Sequence, residues 1–498
     1  MPTDSGLNPI HFLSALAVYL IALIAIGWFG HKAQRTRSLS EFYLAGRSFG
    51  FVVLFLTLYA TQYSGNTFMA FPGQTYRFGI GYIYSIAMMM SIILGYLLFA
   101  PRLVVLAREH GYLTPTDAIF HRFPHSGIRV VSALLLSWGL INYILAQLVA
   151  IGRAMEGLMG EWLGNYGINA HVTAVISLAL VMVIYESLGG MRAVAWSDVI
   201  QGLMLLFGLI LIAYFAVTEF GGLAESVGKV QETSLEKLAV PNWATCREMF
   251  SGIVLLFLGG AMYPHAIQRL YAARNLKTLK RSLAAMVFLP FLSTLPVFLL
   301  GLVALAQFPG LDRTGSDTVT ALLLARLVEI SPAVYWAVIF VFVAAIAAIM
   351  STADSALLSL SSSITQDLYR PLFKKPPDQR HLYRVGKIVS WAVMVVLVWI
   401  AADAKFTLWK LLEMKFEFLM QVFPAFAIGL YSKRLTSRWV LAGMVAGTAL
   451  SFGIHYASGI EWISSAKPWS IHAGLWGLVL NMLICFAGIC FSPNPKDQ

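Results

Sequence analysis

Charged residues are scarce in this chain, and so are cysteines. Only 12% of its 498 residues are Asp, Glu, Lys or Arg, whereas 58% are hydrophobic; an average soluble domain carries about 25% charged residues. Most of the surroundings of the chain are therefore predicted to be lipid. The three cysteines are too few for a disulfide framework, and the sequence contains neither a zinc-type ligand spacing nor an HExxH motif. These absences exclude a disulfide-rich secreted scaffold and a zinc metalloprotease.

Long apolar stretches take the place of the missing charge. A helix needs about 20 apolar residues to cross a bilayer, and thirteen stretches of roughly this length are present. They cover residues 8–30, 49–73, 79–100, 130–157, 171–188, 196–217, 244–266, 282–308, 332–360, 385–402, 407–431, 439–457 and 469–491. The first stretch follows a polar N-terminus and continues to Gly30, so we expect a retained span rather than a cleavable signal peptide. The predicted fold class is an all-α membrane protein with about 13 transmembrane helices.

The net charge of +11 is distributed unevenly along the chain. If the N-terminus lies outside, 24 of the 35 Lys and Arg residues fall in the odd-numbered loops and the C-terminal tail. Cytoplasmic loops of membrane proteins carry such an excess. We therefore predict an N-terminus outside and a multi-pass protein of the plasma membrane, of the bacterial inner membrane type. The basic excess is interpreted as a signal of topology, and the partner that it indicates is the lipid bilayer rather than a nucleic acid.

The domain organisation is predicted to be simple. No soluble domain is added to the bundle, so residues 1–498 are expected to form a single transmembrane transporter domain. Its expected parts are a leading helix and loop at 8–48, a first repeat at 49–218, a second repeat at 244–431 and C-terminal helices at 439–498.

Two of the predicted spans are interrupted by unusual sequence. The second contains YATQYSGNTFMAFPG (59–73) and the seventh contains FLGGAMYPH (257–265). Both place glycine beside small or polar residues in mid-span and proline near the end, and these residues cost about 1 and 3 kcal/mol in a helix interior. Counted from the second span they are the first and the sixth, as two inverted five-helix repeats require. Broken spans at matching places indicate the central site of a transporter, although a pair of packing kinks is the alternative interpretation.

A row of hydroxyl groups follows one face of the ninth predicted span, in AAIMSTADSALLSLSSSITQDLY (347–369). Ser351, Ser355 and Ser359 are four residues apart, and Thr352 lies beside the first of them. Residues three or four apart share a helix face, so these oxygens form a strip beside Ala348. The alternative is that the hydroxyls serve close helix packing and bond to their own i−4 carbonyls.

The hydroxyl strip and the first broken span together suit a small hard cation such as Na⁺, which binds several oxygen ligands. The hydroxyls of Ser351 and Thr352 can supply two ligands. Backbone carbonyls released at the break near Ala60 and Tyr63 can supply two more, because carbonyls freed from a helix need another partner in lipid. The carbonyl of Ala348 is a candidate for the fifth.

Charged groups inside the apolar stretches require a partner, a water-filled cavity or a proton. Asp198 lies near the inner end of the sixth span; it either lines the exit path of the cation or is hydrated from the cytoplasm. Lys415 and Glu417 flank Phe416 in the eleventh span and are interpreted as lying near the outer surface. His265 is interpreted as interfacial.

Five blocks of the sequence, in order, resemble blocks of the sodium/solute symporter family. They are SLSEFYLAGRSFG (38–50), GGMRAVAWSDVIQGLMLL (189–206), YPHAIQRLYAARN (263–275), residues 347–369 quoted above, and FPAFAIGLYSKRLTSRWVLAGMVAGT (423–448). The resemblance covers nearly the whole chain and is closest to the monocarboxylate and pantothenate branches. It implies a leucine-transporter-type fold, with two inverted five-helix repeats plus extra helices.

The resemblance also implies a coupling ion and its ligands. The family places sodium between the first and eighth repeat helices, which corresponds here to the carbonyls of Ala60, Tyr63 and Ala348 and the hydroxyls of Ser351 and Thr352. This set agrees with the ligands expected from the residues alone. An aspartate that the family places near the sodium route corresponds to Asp198. The expected activity is sodium-coupled symport of a small organic solute of the carboxylate class, by alternating access, and not an enzymatic reaction.

The solute site departs from the pattern of the family's proline carriers. Those members have an aspartate where this chain has Gln62, and aromatic residues where it has Leu256 and Gly260, which argues against proline. From polarity and position alone, the candidates for solute binding are Gln62, Ser64, Asn66, Asn142, Gln147 and Gln421.

Three other functions are compatible with parts of the sequence. The first is proton-coupled uptake, in which a proton replaces sodium because Asp198 or Glu417 titrates. The second is sodium-independent uptake of an amino acid or another small metabolite, and both are still secondary transport. A transporter-like membrane sensor is a different class, but such proteins usually carry a cytoplasmic signalling domain. A membrane-embedded enzyme is disfavoured because no motif groups Ser, His and Asp.

Overall fold

The computed structural model describes residues 7–33, 38–313, 315–375, 377–403, 408–456 and 467–492, with the side chains of all these residues except Asn66 and residues 408–412. Within these ranges every extended regular element is a helix, and the only pairing of β type is a single bridge between Phe49 and Ala273. The all-helical class predicted from the sequence is therefore confirmed.

The helices are numbered in chain order. The first ten are α1 (Pro9–Lys32), α2 (Leu39–Leu44), α3 (Phe51–Gln62), α4 (Gly65–Phe78), α5 (Ser85–Glu109), α6 (Pro115–Arg122), α7 (Ser126–Gly164), α8 (Ala170–Glu219), α9 (Gly222–Thr233) and α10 (Trp243–Gly259). The second ten are α11 (Pro264–Ala272), α12 (Leu276–Met286), α13 (Leu289–Gln307), α14 (Val319–Val328), α15 (Pro332–Ser363), α16 (Gln379–Ala402), α17 (Leu408–Leu419), α18 (Phe423–Tyr431), α19 (Ser437–Tyr456) and α20 (Ala473–Phe491). Short 3-10 segments lie at Ala45–Arg47, Gly79–Tyr84, Leu235–Leu238, Gly260–Met262, Gly315–Thr318, Arg370–Leu372, Met420–Val422 and Pro468–Ser470, and a π-helical segment lies at Ile364–Tyr369.

Among the described residues, ten helices are long and apolar enough to cross a membrane by length and composition. The predicted count of thirteen is therefore not reproduced one for one. The stretches near 49–73 and 407–431 are divided into shorter helices, and the stretches 171–188 and 196–217 both lie in α8. A single residue interrupts α8: Gly190 has φ 55° and ψ −149°. A side chain is strained in this conformation, and a Cβ here would lie 2.7 Å from the Phe42 carbonyl oxygen.

Helix α15 lies at the centre of the bundle. Its first turn is capped by Ser331, whose hydroxyl accepts from the Val334 amide at 3.3 Å, and Pro332 occupies the first helical position. Every residue from Val341 to Ser363 is buried, and the helix packs against α3, α7, α8 and α11. Alanine is frequent along this segment, and small side chains let membrane helices approach closely. The hydroxyl strip therefore faces protein, not lipid.

Candidate functional site

The first predicted break lies between α3 and α4. Tyr63 has an extended backbone, with φ −100° and ψ 116°, and ends α3. The next turn is held differently: the Ser64 amide donates to the Thr67 hydroxyl at 3.3 Å, and the Thr67 amide donates to the Ser64 carbonyl at 2.9 Å. Because the Ser64 amide points to Thr67, the carbonyl of Ala60 is available to accept from another helix.

The second predicted break lies between α10 and α11. The 3-10 segment Gly260–Met262 follows α10, and Tyr263 then has φ −57° and ψ 115°. Pro264 is the first residue of α11, where its missing amide costs no hydrogen bond. Tyr143 of α7 connects the two breaks: its ring stacks on that of Tyr263 at 5.2 Å, and its hydroxyl donates to the Thr61 carbonyl at 3.3 Å.

Four of the five predicted sodium ligands converge in the structure. The Ser351 hydroxyl lies 3.1 Å from the carbonyl oxygen of Ala60 and 3.3 Å from that of Ala348. The Thr352 hydroxyl lies 3.4 and 2.9 Å from the same two oxygens. The fifth predicted ligand, Tyr63, is the extended residue at the break. The two segments are 291 residues apart in the chain, yet they form one cluster of neutral oxygens.

The cluster contains contacts of two kinds. A bond from Thr352 to Ala348 is the i−4 contact that helix packing alone would give. The contacts of both hydroxyls with Ala60 reach another helix, which both a cation site and hydrogen bonding between packed helices allow. Unwound carbonyls are the groups with which broken helices coordinate Na⁺. Each hydroxyl would have to turn its hydrogen away before its oxygen could face a cation.

Close approach of α4 to α15 positions the cluster. A Cβ on Gly65, the first residue of α4, would lie 2.1 Å from Cγ1 of Ile349 and 3.2 Å from Oε1 of Gln147. Only a residue without a side chain fits between these two neighbours. The glycine therefore has a packing function at the break in addition to weakening the helix.

Asp198 takes part in a buried ion pair. Its Oδ2 lies 2.8 Å from Nη2 of Arg269, and both side chains have 0% exposure. The Thr57 hydroxyl also donates to Asp198 and accepts from Nε of Arg269 at 2.7 Å. The interpretation of Asp198 as a residue hydrated from the cytoplasm was therefore wrong: its charge is balanced by a guanidinium rather than by water.

The ion pair is continuous with the sodium-ligand cluster. Nη2 of Arg269 also donates to the Ser355 hydroxyl, which donates to the Ser351 carbonyl at 2.5 Å. Asp354, the neighbour of Ser355, accepts a hydrogen bond from the Tyr185 hydroxyl. This polar network joins α3, α8, α11 and α15, and a cation leaving the cluster on this side would meet it first.

A small cavity of about 20 Å³ lies beside the first break; it has room for about one water molecule, so a solute enters only if its lining moves apart. It is lined by Gln62, Ser64, Thr67, Phe71, Met89, Ile92, Tyr143, Leu256, Tyr263, Lys415 and Phe416. Both breaks contribute to this lining, and so do α5, α7 and α17. Nζ of Lys415 lies 3.4 Å from the centre of the Tyr143 ring.

The six candidates for solute binding do not all meet at this cavity. Gln62 and Ser64 line it, and Gln147 is buried beside Gly65. Asn142 donates to the Trp138 carbonyl of its own helix at 2.9 Å. The side chain of Asn66 lies outside the part of the chain that the structure describes.

Gln421 is placed elsewhere. Its Nε2 donates to the Gly474 carbonyl at 2.9 Å and lies 3.3 Å from the Ser451 hydroxyl. The backbone carbonyl of Gln421 accepts from Nδ2 of Asn481 at 2.8 Å. These contacts hold the 3-10 segment before α18 against α19 and α20. The polarity of Gln421 in an apolar stretch is thus accounted for by helix packing.

Three residues at the site were missed or misplaced by sequence reasoning. Arg269 lies in the predicted cytoplasmic loop between the stretches 244–266 and 282–308, and His265 is expected at the interface; both have 0% exposure. Lys415, interpreted as near the outer surface together with Glu417, has 1% exposure and Glu417 has 3%. The signal was available for Lys415, because a lysine inside an apolar stretch requires a functional or structural partner.

Comparison with known proteins agrees with this site. The family model described as the sodium:solute symporter family matches residues 42–447. The chain is 27% identical over 494 residues to the osmoregulated proline transporter OpuE of Bacillus subtilis, covering 98% of this chain and 95% of that protein. It is also 27% identical over 476 residues to the sodium/proline symporter of Staphylococcus aureus, covering 93% and 88%.

Two solved structures share the fold. The substrate-bound outward-open state of a Na⁺-coupled sialic acid symporter superposes with a TM-score of 0.78 at 19% identity, covering 97% of this chain and 98% of that one. Mhp1, a nucleobase-cation-symport-1 family transporter in a closed conformation, gives a TM-score of 0.53 at 14% identity, covering 91% and 95%. The expected leucine-transporter-type architecture is confirmed at the level of fold.

A broken helix whose carbonyl reaches a buried oxygen cluster, within an all-helical bundle of long apolar helices, is typical of a secondary active transporter, and the relatives are transporters rather than enzymes. The family match covers most of the chain, and this protein belongs to the sodium:solute symporter family. It is a multi-pass plasma membrane protein that carries a small solute, with sodium as the coupling ion.

Proposed function

We propose that this protein takes up a small organic carboxylate together with Na⁺ by alternating access, with sodium held by Ala60, Tyr63, Ala348, Ser351 and Thr352. The observation that carries the sodium part is the contact of two α15 hydroxyls with the Ala60 carbonyl, at 3.1 and 3.4 Å. Neutral oxygens bind a monovalent cation weakly and reversibly, and an ion that must be released on every cycle requires such a site.

The proposed route of the ion continues past Asp198. The ion pair of this residue with Arg269 links four helices directly next to the cluster. For the transporter to open on the side of this ion pair, Asp198 and Arg269 must separate or move together. Asp198 then offers a carboxylate to the departing ion at the moment when its partner is withdrawn.

The proposal of a carboxylate solute is supported by the broken helix beside the cavity. Gly65 begins α4, and the first amides of a helix favour a negative group. Ser64, next to this helix start, lines the cavity with Gln62. The proposed solute position thus lies beside the proposed sodium site, so that a bound solute and a bound ion can stabilise each other.

Proline is the second candidate, because the two bacterial relatives named above carry it by their names. The departures at Gln62, Leu256 and Gly260 argue against it. Gln62 and Leu256 both line the cavity, so these differences fall at the place where a solute would bind.

The proposed arrangement in the membrane has thirteen spans, an N-terminus outside and two inverted repeats at 49–218 and 244–431. It is supported by the matching positions of the two breaks and by the cytoplasmic excess of basic residues. An N-terminal tag should be labelled by a membrane-impermeant reagent on intact cells; labelling only after permeabilisation contradicts the orientation.

Uptake by purified protein in proteoliposomes tests the function. Radiolabelled lactate, propionate, pantothenate and proline are offered with an imposed gradient of either Na⁺ or H⁺. We expect a sodium gradient to drive uptake of at least one carboxylate above that of proline. Uptake driven by a proton gradient alone, or by sodium only with proline, contradicts the proposal.

A further inference from the structure

We infer that Lys415 binds the carboxylate of the solute and makes the site selective for anions that carry no ammonium group. This inference rests on the proposed function and assigns the residue that sets the class of solute. Lys415 lies in α17, and its ammonium group is surrounded by aromatic rings: the ring centres of Tyr143, Phe416 and Tyr263 are 3.4, 5.0 and 5.2 Å away.

No carboxylate forms an ion pair with Lys415 among the described residues. The acidic side chains on the same helix are directed to other partners: Glu413 binds Lys467 at 2.6 Å, and Glu417 lies 3.4 Å from His455. Asp198, in the polar network on the far side of the sodium cluster, is paired with Arg269. Nζ of Lys415 is therefore buried among aromatic rings, without a carboxylate to balance a positive charge within the described residues.

An arrangement of this kind is costly in the free protein, because a buried charge loses its hydration. The faces of the rings recover part of that loss through cation–π attraction. A carboxylate entering the cavity would recover much more, since it forms a charge-assisted hydrogen bond with the ammonium group. An anionic solute would therefore stabilise the charged form of Lys415, whereas a neutral solute would not.

A second donor lines the same cavity. Nε2 of Gln62 is buried and meets no acceptor at full hydrogen-bond geometry within the described chain, although the Tyr96 hydroxyl interacts with this side chain. Gln62 lines the cavity together with Lys415. An ammonium group from one side and an amide N–H from the other suit the two oxygens of a carboxylate.

The lining of the cavity also explains which solutes are rejected. Among the lining residues in the described part of the chain, none is Asp or Glu. A zwitterionic amino acid such as proline would bring its own ammonium group into a space that already contains Lys415. Like charges in a site of low polarity repel strongly, so selectivity against amino acids follows from the same residue that attracts the acid.

The test compares an acid with its neutral amide. Propionate and propionamide, or lactate and lactamide, have nearly the same shape and differ in charge. Each amide is used to inhibit sodium-driven uptake of the corresponding radiolabelled acid in proteoliposomes. For the wild type we expect the amide to inhibit at least tenfold more weakly than the unlabelled acid.

Two substitutions of Lys415 then assign the preference. Lys415→Gln should raise the KM for the acid at least tenfold and abolish the difference between acid and amide, whereas Lys415→Arg should keep the preference. Lys229→Gln, an exposed change on α9, is the matched control and should behave as the wild type. Sodium-dependent thermal stabilisation of each purified variant reports folding and the sodium site independently of the solute.

The outcomes separate this inference from the proposed function. If the wild type takes up no carboxylate with sodium, the proposed function is wrong. If it does, but Lys415→Gln keeps its KM and its preference for the acid, the role of Lys415 is overturned while the function stands. Should Lys415→Gln lose its thermal stability, Lys415→Arg decides: loss of the acid preference in that folded variant also overturns the inference.

Discussion

Arg269 organises the inner part of the site more than any other single residue. It is fully buried and donates to Asp198, Thr57 and Ser355, and to the carbonyl of His265 at 3.1 Å. A planar guanidinium with five donors can satisfy such a set, whereas a lysine cannot. Replacing Asp198 would leave this cation without its counter-charge.

Asp198→Asn is predicted to destabilise the protein strongly. Removing one partner of a buried ion pair costs about 3–5 kcal/mol, because the remaining charge stays buried and unpaired. The measurement is thermal unfolding of the purified protein in detergent. Glu225→Gln is the control, since the pair of Glu225 with Lys229 is 2.7 Å long but exposed and contributes at most about 1 kcal/mol. Equal effects of the two changes would show that the buried pair is not needed for stability.

At the residue scale, what the sequence could predict depended on whether the relevant pattern is local. The positions of Ser351 and Thr352 follow from helical spacing within a few residues, and the structure places both hydroxyls at the break. The partners of Arg269 and Lys415 come from helices that are distant in the chain. A basic residue just after an apolar stretch has the same local pattern in a loop as in a core, so Arg269 was misplaced, whereas Lys415 lies inside its stretch and its partners alone were out of reach of a local pattern.

At the scale of elements, the two broken helices determine where backbone groups are free to bind an ion or a solute. Each break leaves backbone groups without helical partners in the middle of the bundle, where water cannot satisfy them. Tyr143 contacts both breaks and also lies under Lys415. The two breaks and the cavity therefore share Tyr143, so the proposed sodium and solute sites are linked through one side chain.

Gly65→Ala is predicted to impair sodium binding without altering any ligand. The added Cβ would lie 2.1 Å from Cγ1 of Ile349, so α4 must move away from α15 and Ala60 away from Ser351. We expect a higher sodium concentration for half-maximal uptake and a lower Tm. Adding Ile349→Ala removes the atom that clashes and should restore part of both.

Gly228→Ala is the control for this change. Gly228 lies in α9, and a Cβ there meets no atom within 4 Å. Alanine in place of glycine in a helix interior stabilises by roughly 0.5–1 kcal/mol, so this variant should be neutral or slightly more stable. A Gly65→Ala protein with the sodium dependence of the wild type would contradict the packing function assigned to Gly65.

The sequence predicted the two breaks better than it predicted where the helices begin and end. Glycine and proline in mid-span are strong local signals, and both breaks lie where they were expected. The stretches 171–188 and 196–217 are predicted as two spans, and in the structure only Gly190 departs from helical geometry between them. Arg192, just after this point, pairs with Glu41 at 2.5 Å. A partner 151 residues away is not visible in a local pattern.

At the scale of the whole molecule, the fold was predictable because lipid allows few solutions. A chain this apolar must satisfy its backbone internally, so long helices follow from composition alone. The arrangement of those helices came from the resemblance to the family, and the fold of the sialic acid symporter agrees with it. Composition could not count the helices, because α8 joins two stretches and the segments 51–78 and 408–431 are each divided.

At this scale, the proposed sodium site needs two segments that are distant in the chain, one with Ala60 and one with Ser351 and Thr352. Ser351→Ala combined with Thr352→Ala leaves the carbonyls of Ala60 and Ala348 in place and removes two oxygens. An interaction of a polar group with a charge contributes about 1.5–3 kcal/mol, and about 1.4 kcal/mol corresponds to a factor of ten. Ser359→Ala, further along the same helix, removes a buried hydroxyl that has no partner within the described chain and serves as the control.

The decisive measurement is equilibrium binding of radioactive sodium to the purified wild type and to these two variants. The Ser351→Ala, Thr352→Ala protein should need at least about tenfold more sodium for half-saturation, while Ser359→Ala should bind as the wild type does. Unchanged binding by the double variant would contradict a sodium site built from the α15 hydroxyls and the Ala60 carbonyl.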